Sequence, residues 1–312
     1  RVVAESGSAS VRIAPESRNT SRLPDLDTLR TIYHTTKMRL GFLIAACALA
    51  GVAVSPASDL AAWQIAVLGV ATLLSSASAG AFNQLWEADI DRIMRRTSTR
   101  AFVTGRFAVT PAWYIGILLV LVLSVVAAAL ATNATAAFYL FLGAFTYGVV
   151  YTVWLKRRTW LNIVIGGLAG SFAVMAGAAA VGAELAPAPL ILAVVLFLWT
   201  PPHFWALAYA CRRDYQAAGV PMLPVVVADR VATITILAHT VLLVLLSVIP
   251  FWLGMGWIYL LSAVVGGVVF LRSCIVLVYK PTIPQAWRVF AASIVQLGLL
   301  LTGAILDNLL LA

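Results

Sequence analysis

Apolar residues run along this chain in nine long blocks separated by polar breaks. The block cores are 40–55, 62–85, 112–131, 135–154, 161–181, 188–208, 231–250, 256–278 and 289–311. Most are close to the roughly 20 residues an α-helix needs to cross a bilayer. The blocks are continuous. Strands of a membrane barrel would instead show about ten residues of alternating polarity. The pattern predicts an all-α integral membrane protein of nine transmembrane helices. Ahead of the first block, residues 28–38 predict an amphipathic helix lying on the membrane surface. Residues 1–27 are polar, show no cleavable signal and are expected to be a mobile tail, so that 28–312 form the membrane domain.

Composition agrees with this reading. Of 312 residues, 62% are hydrophobic and 11% charged. Soluble domains carry about 25% charged residues, so a soluble globule is excluded. The net charge of +9 does not argue for nucleic acid, because so much of the chain is uncharged apolar run. All 21 Lys and Arg fall in the tail or in alternate connections, while the opposite connections hold only Asp59 and Glu184. Basic loops stay in the cytoplasm, which predicts a cytoplasmic-membrane protein with the N-terminus inside and the C-terminus outside. The three cysteines lie in separate segments and predict buried free thiols.

Polar groups capable of chemistry gather on the basic side. Asn83, Glu87 and Asp91 are spaced i, i+4, i+8 at the end of the second block. Each step of four advances about 40° around a helix, so the three side chains form one stripe about 12 Å long. Two carboxylates so placed repel unless a cation joins them. Mg²⁺, which takes oxygen ligands and shares them with substrate phosphates, suits such a stripe. Asp89 points elsewhere and is expected to pair with Arg92 or Arg96. The arginines that follow, among them Arg95 and Arg96, suit the oxygens of a diphosphate. A solvated helix extension with surface ion pairs is the competing reading.

Two further polar islands stand out. Residues 199–224 contain Pro201 and Pro202, which are expected to kink or interrupt the sixth span. His203 follows them, and Asp214 lies three helical turns further on. His203 reads either as a hydrogen-bonded buried histidine or as a contact to a polar or metal-containing substrate. Residues 151–162 hold Tyr151, Lys156, Arg157 and Arg158, suited either to phosphate or carboxylate groups or to anionic lipid heads. Gly166, Gly167, Gly170 and Gly177 predict close helix packing.

Taken together, these islands resemble the UbiA superfamily of intramembrane prenyltransferases. Asn83-x-x-x-Glu87-x-x-x-Asp91 is similar to that family's first aspartate-rich motif. Asp91-Arg-Ile-Met-Arg-Arg-Thr97, Leu155-Lys-Arg-Arg-Thr159, Pro201-Pro-His-Phe-Trp205 and Gly219-Val-Pro-Met-Leu-Pro224 resemble its haem O synthase (protohaem IX farnesyltransferase) branch. The chain departs from the family pattern at Met38 and Ala101, where prolines are usual. It also departs at Asp214, which stands alone where a second acidic motif is usual.

The resemblance implies Mg²⁺-dependent transfer of a farnesyl group from farnesyl diphosphate to a vinyl group of haem B. It implies Asn83, Glu87 and Asp91 as metal ligands and, with Asp214, as catalytic residues. Arg95, Arg96, Lys156, Arg212 and Arg213 would bind the diphosphate. His203, Trp205, Tyr151 and Arg157 would meet the acceptor, with His203 ligating or orienting the iron. Trp86, Tyr147, Tyr151, Phe204 and Trp205 are candidates to line a dry cavity around an allylic cation. Another aromatic acceptor, such as a quinone precursor, is the nearest alternative. A transporter is the remote one, because polar groups here favour one face rather than the bilayer midplane.

Overall fold

A computed structural model describes residues 25–56 and 59–311; most of the expected polar tail, residues 1–24, lies outside the described residues. Every regular element among the described residues is helical. In chain order they are α1 (Leu26–Thr35), α2 (Met38–Ala53), α3 (Ala62–Trp86), α4 (Ala88–Ile93), α5 (Ala101–Thr104), α6 (Pro111–Ala131) and α7 (Ala134–Phe145). Then come a π-helix (Thr146–Leu155), α8 (Asn162–Gly166), α9 (Leu168–Ala180), α10 (Pro187–Ala210), α11 (Arg212–Ala217) and α12 (Leu223–Val226). The chain ends with α13 (Asp229–Ser247), a 3₁₀ turn (Ile249–Leu253), α14 (Trp257–Tyr279) and α15 (Ile283–Leu311).

Eight helical segments are long and apolar enough to span a membrane, and α1 with α2, bent by 53°, forms a ninth. Nine spans agree with the sequence pattern, with local differences at their ends. The helix expected over 28–38 begins at Leu26, two residues earlier than its apolar pattern suggests, because the Asp25 carboxylate caps it by accepting from the Thr28 N–H at 2.7 Å. It stops at Thr35, ahead of a two-residue break. The fourth span does not finish as an α-helix; it widens into the π-helix. Pro201 and Pro202 do not interrupt α10, which is assigned as one helix from Pro187 to Ala210. The missing N–H groups free carbonyls at Phe197 and Leu198, and the Phe197 oxygen faces Gly167, where an added Cβ would lie 3.2 Å away.

Close packing of α2 on α9 anchors the centre of the bundle. A Cβ on Gly51 would meet the Val174 carbonyl oxygen at 2.1 Å, and one on Gly177 would meet the Ala48 oxygen at 1.9 Å. Neither position tolerates a side chain without moving a helix, which is how small residues let membrane helices approach. Outer faces carry the opposite character. Leu118, Leu130, Leu245, Val268 and Ile275 are all exposed, as a lipid-facing surface requires.

Candidate active site: a buried acidic stripe over a deep cavity

At the polar end of the bundle, α1 to α5, α7, the π-helix, α8 to α11 and α15 enclose a cavity of about 1140 Å³. That exceeds the roughly 300–1,000 Å³ usual for one small ligand and gives room for two substrates. Ile294 lines the cavity and is exposed on the outer surface of α15, so one wall reaches the lipid-facing side.

The stripe forms as the helical spacing requires. The backbone bends at Glu87, yet the Glu87 N–H still donates to the Asn83 carbonyl and the Asp91 N–H to that of Glu87. Asn83, Glu87 and Asp91 all line the cavity and are 2%, 1% and 2% exposed. Each is matched to a cation of the chain itself. Lys37 Nζ donates to Asn83 Oδ1 and, at 2.7 Å, to the Tyr147 hydroxyl. Lys156 Nζ pairs with Glu87 Oε2, and Arg100 with Asp91 Oδ2. Asn83 also donates from Nδ2 to Thr152 Oγ1 at 2.9 Å. One atom is left over: Glu87 Oε1 is buried without a hydrogen-bond partner.

The π-helix explains how these partners converge. From Tyr147 to Lys156 is nine residues, which at about 100° each would put them on opposite sides of an α-helix. At roughly 4.4 residues per turn, the wider helix brings them onto nearly the same side. Tyr147, Tyr151 and Lys156 all line the cavity, the two rings stacked 5.9 Å apart with Lys156 over Tyr151. Gly166 makes room for Tyr151, since a Cβ there would be 2.9 Å from its ring. Lys37 reaches the stripe from the break before α2, where its φ is +52°. Gly80 permits that approach: a Cβ there would lie 3.0 Å from the Thr36 oxygen. Arg100 belongs to the arginine run that sequence places after the stripe, whereas Lys37 and Thr152 are not among the site residues the sequence suggests. Lys37 was visible as a cation just ahead of the first span, but its reach into the site depends on the left-handed break.

On the α10 side, Trp199, His203, Phe204 and Leu207 line the same cavity. The His203 ring stacks between Trp199 and Phe290, at 4.3 and 4.5 Å. Its Nδ1 lies 2.7 Å from Ser293 Oγ, and that hydroxyl donates its one proton to the Phe290 carbonyl. His203 Nδ1 is therefore the donor, which leaves Nε2 as an unprotonated acceptor.

Other expected residues lie elsewhere. Trp205 does not line the cavity; it is buried against Trp160 and His239, because it sits about 200° around α10 from His203. Trp86 is exposed and stacks on Phe82 outside it. Asp89 pairs with Arg157 through two hydrogen bonds of 2.7 and 2.8 Å, not with Arg92 or Arg96. Those bonds hold the Asp89 carboxyl below its ordinary pKa and keep Arg157 out of the cavity. Arg96 lines the mouth, whereas Arg95 is exposed and does not. Arg212 is tied to Asp229 and stacked on Tyr209, and neither it nor Arg213 reaches the cavity. Asp214 does not reach it either, since the chain turns at Cys211 instead of continuing α10. Asp214 accepts from the Arg96 N–H at 3.4 Å.

The UbiA prenyltransferase family profile matches residues 44–300 of the chain. The chain belongs to the UbiA prenyltransferase family. Among curated UbiA relatives, protoheme IX farnesyltransferase 2 of Paramagnetospirillum magneticum is 50% identical over 282 residues, 90% of this chain and 98% of that protein. Protoheme IX farnesyltransferase 1 of the same organism is 47% identical, covering 90% of this chain and 99% of that protein. A digeranylgeranylglyceryl phosphate synthase has the same fold, with a TM-score of 0.73 and 17% identity over 91% of this chain and 99% of that one. A UbiA homologue from Archaeoglobus fulgidus, solved with DMAPP and Mg²⁺, superposes with a TM-score of 0.64 and 14% identity over 86% of this chain and 99% of that one.

Proposed function

We propose that the protein transfers a farnesyl group from farnesyl diphosphate to a vinyl group of haem B, giving haem O. The observation that carries this is one cavity holding both a buried, cation-matched acidic stripe and an aromatic wall around an unprotonated histidine nitrogen. Farnesyltransferase relatives at 50% and 47% identity over nearly the whole chain support the choice of substrates.

In this reading the diphosphate lies over Glu87 and Asp91. Lys156 and Arg100 turn from the carboxylates to its oxygens, and Arg96 meets it at the mouth. The stripe fits a divalent cation: Glu87 Oε1 is a buried oxygen without a partner. Among the described residues no three His, Cys, Asp or Glu side chains gather as a metal site, so Asn83, Glu87 and Asp91 would share the ion with the diphosphate. When bound, Mg²⁺ neutralises charge on the leaving diphosphate. The C1–O bond of the donor breaks with its electron pair on oxygen. The vinyl π electrons form the new C–C bond, and water adds to the resulting cation with loss of a proton. Tyr147, Tyr151 and Phe204 shield the allylic cation. His203 Nε2 orients haem through its iron, and Arg106, which also lines the cavity, takes a propionate. Orientation in the cytoplasmic membrane, with the stripe facing inward, follows from the basic loops.

The test is incubation of purified protein in detergent with haem B, farnesyl diphosphate and Mg²⁺, read by mass spectrometry. Haem O is the expected product. Diphosphate release with a quinone precursor and none with haem B would contradict the acceptor.

A further inference from the structure

We propose that Ser293, on α15, is a positioning residue for the acceptor: it fixes the direction and tautomer of the His203 ring, so that the Nε2 lone pair is aimed at the haem iron. This rests on haem being the acceptor, as inferred above. His203 lines the cavity with 8% of its surface exposed, and Ser293 behind it is fully buried. The rings of Trp199 and Phe290 lie within 18° and 26° of the imidazole plane, one on each face. Stacking on both faces fixes the plane of the imidazole but not its direction within that plane. A half-turn about Cβ–Cγ exchanges Nδ1 with Cδ2 and Nε2 with Cε1, and it preserves both stacks. The Ser293 hydroxyl tells the two states apart. It meets Nδ1 at 2.7 Å, and a carbon in that place would forfeit a buried hydrogen bond. Its own proton goes to the Phe290 carbonyl at 2.6 Å, so it can only accept from the ring.

The frame around the ring does not depend on that hydroxyl. Trp199 Nε1 donates to the Ser293 carbonyl at 2.9 Å, a bond that needs no side chain at position 293. Removing the hydroxyl therefore leaves the aromatic sandwich in place and frees only the direction of the ring. Both faces of the imidazole are taken by protein rings, so haem cannot stack on it and meets it end-on, through Nε2. A ligand histidine whose other nitrogen donates to a fixed acceptor is held in one tautomer and is more basic. Loss of such an acceptor typically costs about 10–100-fold in metal affinity.

The test uses the full chain in detergent with haem B, reduced in the absence of oxygen. It reads haem affinity by titration and the iron–histidine stretching band by resonance Raman. The wild type shows the band, and His203→Ala loses it. Ser293→Ala weakens haem binding at least about tenfold and moves the band to lower frequency. Farnesyl thiodiphosphate, a non-hydrolysable analogue of the donor, binds that variant within about twofold of wild type, because its site is elsewhere in the cavity. Ser293→Thr, which keeps a hydroxyl, restores haem affinity and band together. Nitrogen NMR of protein carrying isotope-labelled histidine gives the tautomer without haem, and stands alone should the threonine disturb packing. It finds the His203 proton on Nδ1 in the wild type and divided between the two nitrogens in Ser293→Ala. Ser293→Ala with wild-type haem affinity, band and NMR spectrum would overturn the positioning role. A wild type with its proton on Nδ1 but no iron–histidine band would instead remove the haem reading beneath it.

Discussion

Two polar islands follow membrane spans on the same side of this protein, one after α3 and one after α10, and they end up as different things. After α3, hydrogen bonds from Asn83 to Glu87 to Asp91 carry the helical spacing through a bend, so the stripe stays aimed into the bundle. Its carboxylates are almost fully buried, each with one cation. After α10, the chain turns at Cys211, and Arg212, Arg213 and Asp214 fall outside the cavity, Arg213 exposed and the other two part-buried. What separates the islands is burial, not composition. A charge removed from water must be held by a specific partner and is strongly felt by whatever enters beside it, whereas a solvated charge is screened.

The sharpest break in the pattern would come from the buried pair. Asp91→Asn or Glu87→Gln should lower the rate of haem O formation by about 10²–10³-fold, the loss typical of removing one group that stabilises developing charge. Chelating Mg²⁺ should abolish turnover outright, restored by adding it back. Lys156→Met should cost roughly 10²-fold and raise the KM for farnesyl diphosphate, because Glu87 then loses its cation and the diphosphate one of its donors. His203→Ala should raise the KM for haem about tenfold and leave binding of the farnesyl analogue unchanged, separating the α10 wall from the stripe. On the solvated island, Asp214→Asn and Arg213→Ala should stay within about threefold of wild type. Smallest of all is Asp89→Asn, which removes an exposed pair worth under about 1 kcal/mol of stability. Because folding lowers the Asp89 pKa, that contribution is present above the ordinary carboxylate range and is lost as pH falls through the lowered value. Thermal unfolding in detergent at two pH values would register it.

Much of this was legible beforehand, for particular reasons. The spans follow from length and apolarity, and the stripe follows from spacing of four on a helix that continues. His203 stands out by its place in a long apolar run, and it lines the cavity. Trp205 is expected at the acceptor from the resemblance alone; helical periodicity sets it apart, since the lining face of α10 runs Trp199, His203, Leu207 and position 205 lies opposite. What spacing did not supply was the π-helix that brings Lys156 beside Tyr151. It also did not supply the left-handed break that sends Lys37 to Asn83. Both depend on hydrogen bonding and packing between distant segments, such as Gly166 against Tyr151 and Gly80 against Thr36. Asp214 shares a face with His203 only if α10 runs on, and the chain turns at Cys211 instead.

The most direct measurement is calorimetric binding of farnesyl thiodiphosphate, with and without Mg²⁺, to Asp91→Asn and Asp214→Asn proteins that retain the wild-type unfolding temperature. The buried-stripe account predicts that Asp91→Asn loses the Mg²⁺-dependent part of the affinity and Asp214→Asn keeps all of it. Loss of that part in Asp214→Asn, with Asp91→Asn binding like wild type, would contradict it.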